Sequence, residues 1–246
     1  LVSWNGLMID ALAHAGAVLD EPQYTRAAAR AADFILQSMM RDGRLLRTFR
    51  DGTAKIDGYL DDYAYLISGL LELHSSTGEG RWLDQAVALA EIMLEEFDDP
   101  NGGGFFFTGE SHEELIVRYK NLSGGGNLTS ANGIAAMSLI QISKQTGQDR
   151  YSNAARQTLR SLSGVMAAQP QSSEQLLIAA SRLLKSNDAD TKSPASHSQT
   201  EHVAPVTFAA SIISDTHQAG GTAKLLIKID IDPGWHLYAD NPNAEF

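Results

Sequence analysis

Three aspartates crowd one short stretch of the chain. In Asp57-Gly58-Tyr59-Leu60-Asp61-Asp62-Tyr63, three carboxyl groups and two phenols stand just ahead of an apolar run with helical spacing. Glycosyl transfer needs two carboxyl groups flanking the scissile bond, about 5–9.5 Å apart. A cluster of this kind could supply one or both, so Asp57, Asp61 and Asp62 are the candidate catalytic residues. A structural role competes with that one. An aspartate at the start of a helix accepts hydrogen bonds from free backbone N–H groups and meets the positive end of the helix dipole. Asp61 and Asp62 are adjacent and cannot both occupy the cap, so the two roles can coexist.

Two other segments have the same character. Ser3-Trp4-Asn5-Gly6 and Thr129-Ser130-Ala131-Asn132-Gly133 each place hydrogen-bonding side chains at what reads as a helix start. With the tyrosines they would line a cleft for a polyhydroxylated ligand. Trp4, Asn5, Tyr59, Tyr63, Ser130 and Asn132 are therefore the candidate ligand-binding residues.

Other chemistries find less support. His112-Glu113-Glu114 lacks the second histidine at helical spacing that a zinc protease helix needs and reads as a solvated loop. Gly124-Gly125-Gly126-Asn127 lacks the Lys-Ser/Thr pair of a phosphate-binding loop and reads as a connector or a loop over the cleft. Asn121 and Asn127 each begin a glycosylation acceptor triplet, a pattern common by chance. His14 and His74 lie on helical stripes and are expected to be packed. The acidic run from Glu91 to Asp99 is expected to be a solvated helix end. There is no cysteine, and 19 basic residues against 30 acidic ones give a net charge of −11. That excludes thiolate metal sites and cysteine nucleophiles within these residues, and it disfavours a grip on nucleic acid phosphates. No metal and no cofactor is called for. No run approaches the ~20 apolar residues of a membrane-spanning helix.

The elements that must position these residues are mostly helices. Apolar residues recur at 3.6-residue spacing in one stripe through Trp4, Leu7, Met8, Ala11, Leu12, Ala15 and Leu19, and in another through Tyr24, Ala27, Ala28, Ala31, Phe34, Ile35 and Met39. Further stripes follow over 63–74, 82–97, 134–142, 151–166 and 176–184. They come in pairs with a repeated joint. Thr77-Gly78-Glu79-Gly80-Arg81-Trp82 and Thr146-Gly147-Gln148-Asp149-Arg150-Tyr151 each offer a glycine to end one helix and an aromatic to begin the next. Asp20-Glu21-Pro22-Gln23-Tyr24 is the matching first joint. Between pairs the chain turns back through 41–47 and through 98–107, the latter reading as a short hairpin. Helix pair, short β-excursion, helix pair is the rhythm of an α/α toroid, in which inner-helix N-termini face a central cleft. A closed toroid takes six helical hairpins and three and a half are counted here, so the expected fold is mainly α and a partial toroid over 1–185.

Residues 186–202 are expected to form a flexible linker, being rich in Ser, Thr, Asp, Asn and Ala. Two β-branched runs within 203–246 read as the opening strands of an all-β domain, too short to be stable alone. The start at Leu1 and the stop after these strands suggest a piece of a longer protein.

Four motifs then occur in order: Ser3-Trp4-Asn5-Gly6-Leu7-Met8-Ile9, Asp57 to Ala64, Asn101 to Thr108, and His112-Glu113-Glu114-Leu115-Ile116-Val117-Arg118. Together they resemble the C-terminal half of the YyaL type of protein, related to the spermatogenesis-associated thioredoxin-like proteins. The resemblance implies a thioredoxin-like domain in the missing N-terminal part, followed by a toroid similar to N-acylglucosamine 2-epimerases and six-hairpin glycosidases. The chain departs from the family where Thr129-Ser130-Ala131-Asn132 replaces a Pro-Ser-Gly-Asn segment, keeping the serine and asparagine. The tail, through Asp232-Pro233-Gly234-Trp235-His236-Leu237-Tyr238, resembles the start of the N-terminal immunoglobulin-like domain of DsbD-type thiol:disulfide interchange proteins. These resemblances imply a cytoplasmic location for the core family and a periplasmic one if the tail is of the DsbD kind. The functions in view are a carbohydrate-binding or processing cleft, a non-catalytic scaffold in a thiol:disulfide redox protein, and a helical interaction module.

Overall fold

A computed structural model describes residues 1–112, 117–120 and 128–188, together with the backbone of three strands beyond them. The chain divides into two units, Leu1–Asp190 and Thr191–Phe246.

In the first unit α1 (Val2–Val18) pairs with α2 (Pro22–Ser38), α3 (Leu60–Thr77) with α4 (Gly80–Phe97), and α5 (Ala131–Thr146) with α6 (Asp149–Ser161). A short helix, α7 (Ser163–Ala168), and one 3-10 turn lead into α8 (Glu174–Asp188). The periodic stripe read as continuous over 151–166 is thus broken at Leu162. α1, α3, α5 and α8 pack side by side in that order, and α2, α4 and α6 back them, each leaning also on the next inner helix. Glycine at the joints explains the tight reversals. Gly78 and Gly147 cap α3 and α5 in the left-handed conformation, both at φ +71°, which costs a residue without Cβ little. Trp82 and Tyr151 then anchor α4 and α6 as buried residues.

The stripe read on α1 is corrected. Its buried row is Val2, Gly6, Ile9, Ala13 and Gly16, while Trp4, Met8, Val18 and Leu19 face solvent. Small residues were overlooked because the large ones make the louder pattern. Their smallness is the point: a Cβ on Gly6 would lie 2.6 Å from the Tyr65 carbonyl carbon, and one on Gly69 would lie 2.8 Å from the Gly6 oxygen. α1 and α3 therefore touch backbone to backbone. His14 is also exposed, bonded to Glu72 at 2.9 Å, rather than packed.

The first β-excursion is a meander of β1 (Met40–Arg41), β2 (Arg44–Arg50) and β3 (Thr53–Asp57), antiparallel throughout. Its turns are Asp42-Gly43 and Asp51-Gly52, with all four residues at positive φ, as two-residue hairpins of this twist require. Leu46 stands opposite Asp57, and Arg50 opposite Thr53. Ile56 is held at φ +65°, an unfavourable conformation for a β-branched side chain. The second excursion closes through a bridge between Asp98 and Phe105.

In the second unit β4 (Gln199–Val203), β5 (Val206–Ile212) and β6 (Leu225–Ile231) form an antiparallel sheet in that order. β4 overlaps the end of the segment read as a flexible linker, and its pairing with β5 runs from Gln199 opposite Ala210 to Val203 opposite Val206. The Asp232–Tyr238 motif (232–238) lies outside the described residues, as do Gly124–Gly126 (124–126), Asn121 and Asn127.

Candidate functional site

β3 delivers the chain to the start of α3, where most of the candidate residues stand. Tyr59 precedes the helix, and its N–H donates to Asp62 Oδ2 at 3.0 Å. This is one half of a capping box, so Asp62 caps from inside the first turn and not from the cap position itself. The other Asp62 oxygen accepts the N–H of Ser3 on α1 at 2.8 Å. One carboxylate thus ties the starts of two inner helices together.

A cation holds the pair. Arg47, on β2, donates to Asp61 Oδ1 at 2.9 Å and to Asp62 Oδ2 at 2.6 Å, and its guanidinium lies 4.7 Å from the centre of the Tyr59 ring. The Asp62, Asp61 and Arg47 side chains are 0%, 7% and 17% exposed. Burial pushes the Asp62 carboxyl above the usual carboxylate range, and the charge of Asp61 adds to the shift. Arg47 and the N–H groups of Tyr59 and Ser3 oppose it. Burial acts against the charge on Arg47, but the Asp61 and Asp62 carboxylates hold its pKa above the ordinary value. Two carboxylates facing one guanidinium leave the cluster with surplus negative charge.

The other candidate residues separate. Asp57 belongs to a different ion pair, with Arg41 at 2.8 Å, and lines a groove of about 280 Å³ with Arg44 and Ser111. Tyr63 is buried and its hydroxyl accepts the Leu45 N–H at 3.0 Å. Burial drives its pKa up to about 12. Ser130 caps α5 by accepting the Gly133 N–H. Asn132, wholly buried, accepts the Phe105 N–H at 2.8 Å and donates to the Phe105 carbonyl at 3.1 Å. Asn5 donates to the Leu1 carbonyl. Trp4, next to Ser3, is 62% exposed.

Several partners escaped the sequence reading. Arg47 has no periodic signal linking it to Asp61. The clue would have been a basic residue in a strand one tight turn before an acidic cluster. Tyr65 donates to the Thr129 carbonyl at 2.6 Å, joining α3 to the approach of α5. Its pKa is raised by burial first, then by Asp61 and Asp62. Glu96, read as part of a solvated helix end, is buried against Arg44 at 2.5 Å and accepts the Ser111 N–H at 3.0 Å.

The four sequence motifs meet at this place. Ser3 bonds Asp62, the Leu60 N–H donates to the Phe107 carbonyl at 3.0 Å, and the Tyr59 ring stacks on both Phe107 and His112 at 5.0 and 5.2 Å. Phe107 stacks in turn on the exposed ring of Tyr119 at 5.3 Å. Among the described residues, two buried hydroxyls near the cluster, Ser3 Oγ and Thr129 Oγ1, find no hydrogen-bond partner. Among the described residues no group of acidic and histidine side chains could hold a metal ion, and no helix is long and apolar enough to cross a membrane.

Inner helices in sequence, outer helices behind them and polar groups gathered at the inner N-termini define an α/α toroid, present here in part. The solved structures agree. An α-mannanase of glycoside hydrolase family 76 from Bacteroides thetaiotaomicron matches 76% of this chain and 53% of its own, with a TM-score of 0.59 at 14% identity. A cellobiose 2-epimerase from Bacillus thermoamylovorans matches 79% of this chain and 61% of its own, at 0.54 and 10%. At such identities the likeness is one of fold. In sequence the chain is similar to spermatogenesis-associated protein 20: 34% identical to the Mus musculus protein over 158 residues, covering 60% of this chain and 20% of that one. An uncharacterized protein of Caenorhabditis elegans is 30% identical over 171 residues. The chain spans about a fifth of the length of the curated relatives it matches. No family model matches.

Proposed function

We propose that the start of α3 is the floor of a carbohydrate-binding cleft, with Asp61 as the group available for acid–base chemistry. The observation that carries this reading is the surplus carboxylate. Capping α3 and tying it to α1 occupy Asp62 fully, whereas Asp61 makes no tie to α1, accepts the Asp62 N–H of the first turn at 3.1 Å and is held in place by Arg47. A buried carboxylate in a charged cluster of this kind is a functional candidate. The unpartnered hydroxyls of Ser3 and Thr129 support it, since a buried hydroxyl without a partner costs about 1–3 kcal/mol, and a ligand hydroxyl or water could supply the missing bond. Exposed Trp4 and the Tyr59–Phe107–Tyr119 stack offer rings of the kind that pack on sugars. Fold similarity to an α-mannanase and to cellobiose epimerases points the same way by analogy.

The reading favours binding with one acid–base group over two-carboxylate hydrolysis, because Asp62 is locked in the cap and Asp57 in its pair with Arg41. A second reading is a scaffold for a thioredoxin-like domain of the whole protein. The lock on Asp62 favours it, as does sequence similarity to a relative five times longer than the matched region. The test is to screen mannose, glucose, cellobiose and their N-acetyl derivatives against the full chain by ligand-observed NMR. Hydrolysis and epimerisation assays accompany the screen, with Asp61→Asn as the matched variant. Binding that survives in Asp61→Asn while turnover is lost supports the cleft. If no sugar binds, the scaffold reading stands instead.

A further inference from the structure

A second recess lies away from the Asp61 cluster. Its volume is about 610 Å³, within the range of ligand clefts. One wall is the polar face of α6, where Asn153, Arg156, Gln157 and Arg160 recur at the three- and four-residue intervals that bring side chains onto one face. The other wall is the turn carrying Asn101, Gly102 and Gly103. That turn is pressed against the helix. A Cβ on Gly103 would lie 2.9 Å from Ser161 Cβ and 3.2 Å from the Gln157 carbonyl oxygen, and its φ is +67°. Only glycine fits there, so the two walls are set at a fixed spacing.

The lining is made of donors. Two guanidinium groups, three amides and a hydroxyl face the recess, and among the described residues no Asp or Glu lines it. That is unusual for a chain with a net charge of −11. Asp99, at the base of the turn, is already engaged. It accepts the N–H groups of Asn101 and Gly102, each at 3.0 Å, and pairs with Lys120 at 2.7 Å. Its charge is thereby cancelled locally. Arg156 and Arg160 stand one helical turn apart on the same helix face. A guanidinium presents a planar fork that matches two oxygens of a carboxylate, sulfate or phosphate. Most small-molecule clefts are apolar with a few polar groups. This one reverses that balance and suits a hydrated anionic group better than an apolar ring.

We infer that the recess between α6 and the Asn101–Gly103 turn (101–103) binds an oxyanion group, a sulfate, phosphate or carboxylate, either free or carried on a sugar. The site is independent of Asp61, and the Asp61→Asn variant is expected to retain it.

The experiment titrates the full chain with sodium sulfate, sodium glucuronate and glucose at constant ionic strength, followed by amide NMR and calorimetry. Sulfate and glucuronate are expected to give saturable shifts at 101–103 and 153–161, and glucose none. Glucuronate binding more tightly than sulfate identifies a sugar-borne carboxylate as the source, and the reverse order a free anion. Arg156→Gln with Arg160→Gln should weaken binding at least tenfold. Arg26→Gln with Arg30→Gln on α2 removes the same charge elsewhere and should not. Equal weakening in both double variants, glucose binding as well as glucuronate, or the absence of any saturable shift overturns the inference. If the double variant does not fold, Arg160→Gln alone, at an exposed position, must still weaken sulfate binding.

Discussion

The starts of α3 and α5 occupy equivalent places in successive hairpins, yet they are built from different chemistry. At α5 the work is neutral: Ser130 caps the helix and the Asn132 amide clamps both backbone groups of Phe105. At α3 it is charged: two aspartates, one arginine and a bond to the neighbouring helix. The α5 start shows that a neutral hydroxyl can cap the helix and a neutral amide can hold the preceding loop. The α3 start instead holds two carboxylates against one cation, and Asp61, which accepts the Asp62 N–H and pairs with Arg47, is the one that does not reach the neighbouring helix.

The contrast can be broken by substitution. Arg47→Ala should have the largest effect, because it leaves two buried carboxylates without a cation; about 3 kcal/mol of unfolding free energy should be lost, read from urea denaturation. A loss below about 1 kcal/mol would show that the charges are already solvated. Asn132→Ala should cost about 2 kcal/mol, because the buried Phe105 N–H and carbonyl lose their side-chain partner at once. Ser130→Ala should cost about 1 kcal/mol, the usual value of a helix cap.

Asp61→Asn keeps an acceptor oxygen for Arg47 and the Asp62 N–H, so it is expected to have the smallest effect on stability at neutral pH, under about 1 kcal/mol, and the most informative one on pH dependence. Asp62 has a folded-state pKa above its ordinary value of 3.8, through burial and then through Asp61. A raised carboxyl pKa means that ionising Asp62 weighs against the folded state. That cost is fully present above the folded pKa and disappears as pH falls toward the unfolded value. Removing the Asp61 charge should lower the Asp62 pKa and flatten this part of the stability profile, measurable by carboxyl NMR titration. An unchanged Asp62 titration would mean the two carboxylates do not sense each other.

Helix pairing was legible in the sequence because it rests on local rules: glycine at the ends of α3 and α5, an aromatic at the starts of α4 and α6, and 3.6-residue spacing between. The buried face of α1 was not, because a helix in contact with α3 through Gly6 carries its packing information in the absence of side chains. The site divides the same way. Asp61, Asp62 and Tyr59 stood out as a cluster, and the structure joins them. Asp57 stood beside them in sequence but leaves with β3, and Arg47 reaches them through a turn whose pairing sets which residues meet. Neither fact shows in helical or strand periodicity. The second β-excursion was visible from Asp98 to Phe107, whereas the three-stranded meander was read only as a reversal.

Ile56 gives the meander a further property. Held at positive φ, it stores a conformational cost of about 1–3 kcal/mol in a strand that buries no residue. Regions with little buried apolar surface are the first to open by local fluctuation. The guanidinium that pairs with Asp61 and Asp62 is carried on β2, and beyond Leu46 that strand is laddered only to β3. Amide hydrogen exchange in β2 and β3 should be faster than in α3, and each opening would uncover the two carboxylates while their own helix remains intact.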